Sequence, residues 1–216
     1  MQTIQIQTGA KPDAAVIWLH GLGADGHDFE PVVPELRLPA ALQVRFVFPH
    51  APERPVTLNR GMRMRAWYDI FQLGGGPEDE AGIRESEGLL KDLVSSQTEA
   101  GIKPERIVIA GFSQGGAIAL QTALRYPRRL AGVLALSTYL PLNQKLAGEK
   151  SAANASLPIF MAHGLHDDII PLVRAEQSRK VLAELGYAVQ WRTYPMPHSV
   201  CAEEIADISR FLQEVF

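Results

Sequence analysis

Six short apolar runs restrict what this chain can become more than any other feature: "AAVIWL" (14–19), "QVRFVF" (43–48), "RIVIAG" (106–111), "GVLALS" (132–137), "PIFMAH" (158–163) and "VQWRTY" (189–194). Most are continuously apolar rather than alternating, which predicts strands covered on both faces. Helical stripes lie between them. Leu90, Leu93, Val94 and Gln97 share one face of a helix ending near Gly101, with Glu87, Lys91 and Asp92 turned away. Val181, Leu182 and Leu185 repeat the spacing before Gly186, and Ile205, Ile208, Phe211, Leu212 and Val215 repeat it at the C-terminus. Strand and helix thus alternate, which predicts an α/β fold: a mostly parallel central sheet, helices on both faces, and a ligand site at the carboxyl ends of the strands.

A chain of 216 residues suffices for a single domain over 1–216 with a sizeable core. Two long stretches carry no predicted element, 59–82 and 141–157. The first, with Trp67, Tyr68 and Phe71 before three glycines, reads equally as a mobile pocket wall or as a solvated excursion anchored by aromatics.

A formal net charge of −3 and scattered basic residues give no electrostatic footprint for nucleic acid. One cysteine, Cys201, excludes an internal disulfide and reads as a packing residue. No apolar stretch approaches the roughly 20 residues of a membrane span, and the N-terminus lacks a signal-peptide pattern. The expectation is a cytoplasmic protein acting on small molecules, without nucleic-acid partner or stable membrane insertion, as a monomer or weak homodimer.

"GFSQG", 111–115, follows one strand run and precedes a second apolar run, "GGAIALQTALRYP", which reads as a buried helix stopped near Pro127. This is the GxSxG pattern, in which a serine sits on a strained turn between strand and helix. A purely structural turn and an anion-binding loop are the competing readings. Neither GxxxxGK[ST] nor GxGxxG is present, and no lysine lies nearby. A serine needs a base, and the base a carboxylate, which in this arrangement follow in the order Ser, acid, His. His198, in "YPMPHSV" between the last strand and the last helix, is the base candidate. His163 ends a strand and has no suitable acid between it and Ser113.

The acid lies in "HGLHDDIIP", where Asp167 and Asp168 are adjacent. The recurrent pattern HGxxDxxVP puts the acid four residues before its proline, which favours Asp167 and leaves Asp168 as a loop residue. His163, His166, Asp167 and Asp168 also invite a metal reading, but no second cluster is recognisable to complete a site. Two backbone amides must hold the oxyanion. One is that of Gln114, which enters through its amide rather than its side chain. Leu22, in the glycine-rich "LHGLGADGHDF", is the candidate for the other.

Together "VIWLHGLGADGHDF", "PHAPERPVTLN", "WYDI", "AGFSQGGA", "LAGVLALSTYLP", "HGLHDD" and "YPMPHS" resemble, in order and spacing, the phospholipase/carboxylesterase family of α/β hydrolases, which includes acyl-protein thioesterases. The resemblance implies an α/β-hydrolase fold with no large lid domain. It also implies a Ser113–Asp167–His198 triad with Leu22 and Gln114 as oxyanion hole, and hydrolysis of carboxylic esters, lysophospholipids or acyl thioesters through an acyl-enzyme, without metal or cofactor. Trp67, Leu73 and Tyr139 fall where the family builds its acyl groove. The chain departs from the family pattern at Arg65 and Ala66, where Pro-Ser is usual, and at Pro197, where glycine usually precedes the histidine.

Overall fold

The computed structural model describes residues 1–72 and 75–216. Leu73, expected in the acyl groove, lies outside the described residues. The six predicted runs become β2 (Ala14–Leu19), β3 (Val44–Pro49), β6 (Ile107–Phe112), β7 (Gly132–Leu136), β8 (Ile159–Gly164) and β9 (Val189–Tyr194), none displaced by more than one residue. A seventh strand, β1 (Thr3–Gln7), pairs antiparallel with β3 at the sheet edge. Its sequence, "TIQIQ", carries the strict alternation of a half-buried edge strand, unlike the continuous apolar runs inside the sheet. The order is β1-β3-β2-β6-β7-β8-β9, with every pair but β1–β3 parallel.

Side-chain alternation divides each strand between two apolar layers. Ala15, Ile17 and Leu19 of β2 enter one layer, and Ala14, Val16 and Trp18 enter the other. The first layer is closed by α2 (Glu80–Glu99), α3 (Gln114–Ala123) and α5 (Leu172–Glu184). The second is closed by α1 (Val32–Glu35) and α6 (Ala202–Val215). Helix α3 is buried along its whole length, because it fills the layer between α2 and the strands β6 and β7.

Both stretches without predicted elements contain short ones. The first contains β5 (Met62–Arg65), which forms a hairpin with β4 (Glu53–Val56) just before the stretch; both strands are only four residues long, and the alternation of β5 is too brief to mark it. The second contains α4 (Asn143–Glu149) and a single 3₁₀ turn. Within α2, Glu87 departs from expectation by being buried. Lys91 Nζ at 2.6 Å and Gln121 Nε2 at 2.8 Å compensate its charge, so a residue on the polar side of the stripe becomes part of the α2–α3 contact.

Along the sheet, chain order reverses between β2 and β6, so their carboxyl ends part into a crevice. No helix among the described residues is long and apolar enough to cross a membrane.

Near the start of α6, Glu204 is fully buried with neither carboxylate oxygen hydrogen-bonded. Burial pushes its pKa up to about 8, which the Cys201 backbone offsets only in part. Because the folded-state value lies above the unfolded one, this group's contribution to stability is fully present below the unfolded value and is lost as pH rises toward 8. Glu204→Gln is therefore expected to melt close to wild type at pH 4 and to be more stable at pH 9, by up to a few kcal/mol. Thermal unfolding at the two pH values checks this.

Candidate active site

The candidate nucleophile stands at the crevice. Ser113 follows β6 with φ 55° and ψ −122°, a conformation unfavourable for a residue with a Cβ. Its backbone is held from β7: Ser113 N–H donates to the Leu136 carbonyl at 2.8 Å, and Thr138 Oγ1 donates to the Ser113 carbonyl at 2.6 Å. Glycine permits the turn on both sides. A Cβ on Gly111 would lie 2.3 Å from the Gly115 carbonyl, and one on Gly115 would lie 2.5 Å from the Leu19 and His20 carbonyl oxygens. The elbow is thereby pressed against the end of β2, where the loop bearing Leu22 begins.

That loop is fastened on both sides of Leu22. The Ala51 N–H donates to His20 Nε2 at 3.0 Å, which leaves the ring proton on Nδ1 to donate to the Gly21 carbonyl at 2.7 Å. Burial lowers the His20 pKa to about 4, so the ring stays neutral and this tautomer persists. Beyond Leu22, the Gly23 N–H donates to the Arg65 carbonyl at 2.9 Å. Arg65, one of the departures from the family pattern, also donates from its guanidinium to the Ala51 carbonyl at 3.0 Å. Leu22, Ser113 and Gln114 line one pocket. As the first residue of α3, Gln114 has an N–H without a partner in its own helix.

Asp167 and His198 come together from neighbouring strands. His198 Nδ1 is 2.6 Å from Asp167 Oδ2, and Asp167 Oδ1 accepts from the Ile169 and Ile170 N–H groups at 3.0 and 2.8 Å. Asp168, adjacent in sequence, is exposed. The two loops touch through backbone because Gly164 has no side chain: its Cβ would fall 2.4 Å from both the Met196 and Pro197 carbonyl oxygens. Leu165 and His166 N–H groups then donate to the Tyr194 and Met196 carbonyls at 2.8 and 3.1 Å. The His198 ring packs on Phe112, with centroids 4.7 Å apart, which brings it beside the serine turn. With Asp167 accepting from Nδ1, the Nε2 lone pair is free to take a proton. His163, fully buried and kept neutral by that burial, sits behind Asp167 with Nε2 on the Ile170 carbonyl at 2.8 Å.

The Gln114 side chain contributes more than the sequence implies. Its Oε1 accepts from the Trp67 N–H and its Nε2 donates to the Tyr68 carbonyl, both at 2.7 Å, so one side chain clamps the backbone of this bend at two points. Trp67 is almost fully buried beneath the loop rather than facing the pocket, its indole N–H donating to the His20 carbonyl at 2.9 Å. The Ser86 hydroxyl donates to the Trp67 carbonyl from α2. Tyr68 and Tyr139 line the pocket with hydroxyls 2.8 Å apart, and burial raises both phenol pKa values, so both stay protonated. Trp67 and Tyr68 thus belong to a pocket wall that is fastened rather than mobile. Cys201 is half-buried among apolar neighbours, and burial raises its thiol pKa.

A mostly parallel sheet with a serine on a strained turn after a central strand, and an acid and a histidine after two later strands, is the arrangement of an α/β hydrolase. The model of the phospholipase/carboxylesterase family matches residues 1–216. Among curated proteins, acyl-protein thioesterase 1 of Neurospora crassa is 44% identical over 215 residues, covering 95% of this chain and 88% of the relative. That of Gibberella zeae is 41% identical over 211 residues, covering 93% and 90%. Among solved structures, Arabidopsis thaliana SOBER1 superposes with a TM-score of 0.89 at 28% identity, over 94% of this chain and 98% of that one. Acyl-protein thioesterase 2 of Zea mays superposes with a TM-score of 0.87 at 27% identity, over 99% and 98%. The chain belongs to the phospholipase/carboxylesterase family and is a carboxylic ester hydrolase.

Gln114→Leu keeps the backbone amide and removes the side-chain clamp, leaving the Trp67 N–H and Tyr68 carbonyl buried without this partner. It is expected to cost about 2–4 kcal/mol of stability, on the basis of about 1–3 kcal/mol per orphaned group. Chemical denaturation checks the stability loss, and a loss below about 0.5 kcal/mol contradicts the clamp.

Proposed function

We propose that this protein hydrolyses carboxylic esters and acyl thioesters by a serine mechanism, with Ser113 as nucleophile, His198 as general base and acid, and Asp167 as the group that orients His198. The observation that carries the reading is the 2.6 Å contact of His198 Nδ1 with Asp167 Oδ2, on a ring packed against Phe112 beside the strained Ser113 turn. Ser113 Oγ attacks the acyl carbonyl and its proton passes to His198 Nε2. Asp167 stabilises the resulting imidazolium. The Leu22 and Gln114 N–H groups receive the oxyanion, the latter aided by the positive end of the α3 dipole. His198 then returns the proton to the departing alkoxide or thiolate. Water, deprotonated by the same nitrogen, attacks the acyl-enzyme, and the proton goes back to Ser113 as the acid leaves.

The breadth of substrate follows the relatives: thioesters are supported by their naming as acyl-protein thioesterases, and oxygen esters by the family description. Tyr139 belongs to the proposed acyl-binding wall, and Trp67 supports that wall from beneath.

Ser113→Ala is expected to lower turnover of 4-nitrophenyl esters by about 10⁴-fold or more with the fold retained, as nucleophile removal does in triad enzymes. Near-normal turnover in a folded variant would falsify the mechanism. The neighbouring carboxylates give a sharper comparison. Asp167→Asn is expected to reduce kcat by about 10³- to 10⁴-fold, because an amide does not fix the required imidazole tautomer. Asp168→Asn, altering an exposed side chain, should stay within about threefold of wild type. Steady-state kinetics on both variants decide the assignment, and equal effects would overturn it.

A further inference from the structure

Arg174, in the first turn of α5, lines the same pocket as Ser113. Its guanidinium carbon lies 3.4 Å from the centroid of the Tyr139 ring. A guanidinium stacked in this way keeps its N–H donors directed outward from its edge. The platform is rigid, since Tyr139 is itself buried and joined to Tyr68 through their hydroxyls. Six of the other arginines, Arg54, Arg84, Arg106, Arg125, Arg192 and Arg210, hold a carboxylate at ion-pair distance. Arg174 holds none among the described residues, and what distinguishes it from the remaining unpaired ones is its place in the pocket with Ser113.

Two acids line the pocket, and both are engaged by other groups. Asp69 accepts from the Thr57 N–H at 2.7 Å and from its hydroxyl at 2.6 Å, while Glu78 Oε2 accepts from the Leu142 N–H at 2.9 Å. Ile70, Ile169 and Ile170 supply apolar wall. The pocket therefore joins the candidate nucleophile, apolar surface suited to a short methylene chain, and one cation that makes no ion pair with the two carboxylates of the same lining, which are held instead by neutral donors.

We propose that Arg174 is a specificity-determining residue that receives an anionic group, a carboxylate or a phosphate, carried by the ester or thioester substrate itself. This rests on the serine-hydrolase reading and extends it from bond type to substrate charge. The guanidinium presents paired N–H donors to two oxygens of the anion, the geometry in which arginine binds carboxylate and phosphate most strongly.

Matched substrate pairs differing in one anionic group test the assignment. On the acyl side, the mono-4-nitrophenyl ester of adipic acid is compared with the same ester methylated at its far carboxyl. On the alcohol side, a 1-acylglycerol 3-phosphate is compared with the 1-acylglycerol. Wild type is expected to favour the anionic member of one pair by about tenfold or more in kcat/KM, chiefly through KM, and that pair identifies where the anion is carried. Arg174→Gln should bring the ratio close to one, Arg174→Lys should keep part of it, and Glu78→Gln should raise it by removing a negative charge from the same pocket. A wild type indifferent to charge in both pairs, or a ratio unchanged in Arg174→Gln, overturns the proposal. Calorimetric titration of the pairs onto Ser113→Ala separates this outcome from the fate of the serine mechanism. Tighter binding of an anionic member that disappears in S113A/R174Q supports the role of Arg174 whatever the nucleophile proves to be. Equal binding of both members overturns that role even where Ser113→Ala abolishes hydrolysis.

Discussion

The architecture of the site depends on one close approach, that of the first turn of α3 to the carboxyl end of β2. At Gly115 a single added carbon would stand 2.5 Å from two main-chain carbonyl oxygens, a contact backbone cannot relieve without moving strand or helix. Because the approach is allowed, the serine turn after β6 and the Leu22 loop after β2 meet across the gap where strand order reverses. The gap follows from topology, and the missing side chain decides how nearly its two sides converge.

Around that contact, polar groups are spent on holding backbone in place. His20 links Ala51 to Gly21, the Trp67 indole returns to His20, and Gln114 binds the Trp67 N–H and the Tyr68 carbonyl. Each of these side chains is buried, where an unpaired amide or imidazole is costly, so each bond constrains the loop it touches. The 67–68 segment therefore forms a wall by being tied at five points, with little regular structure of its own.

Much of the sheet was legible because its inner strands are apolar on both faces, and Ser113, His198 and Asp167 were legible because motif and chain order constrain them together. What escaped reading has physical causes. β1 is an edge strand whose alternation is brief, and β4 and β5 are four-residue strands paired only with each other, too short for a periodic trace to stand out. Glu87 appeared to belong to the solvent side of α2 because the i,i+4 spacing that offers it Lys91 is equally that of an exposed pair, and only the arrival of Gln121 from α3 marks it as buried. The Gln114 clamp and the Arg174–Tyr139 stack join residues far apart in sequence, 47 positions in the first case, so no local pattern announces them. Gly164 was visible as part of a motif, but the reason for it is a carbonyl more than thirty residues away.

That last contact separates the site into two mechanical parts. Gly164 lets the loops after β8 and β9 lie backbone to backbone, with Leu165 and His166 hydrogen-bonded across the seam, so Asp167 and His198 ride on one rigid body. Ser113 and its neighbouring amides ride on another, built from the ends of β2 and β6. The Phe112–His198 ring contact is the bearing between them. A perturbation at this contact would change the spacing of His198 and Ser113 while leaving the Asp167–His198 hydrogen bond in place, so alignment of the proposed proton-transfer path can be tuned independently of the histidine's own orientation.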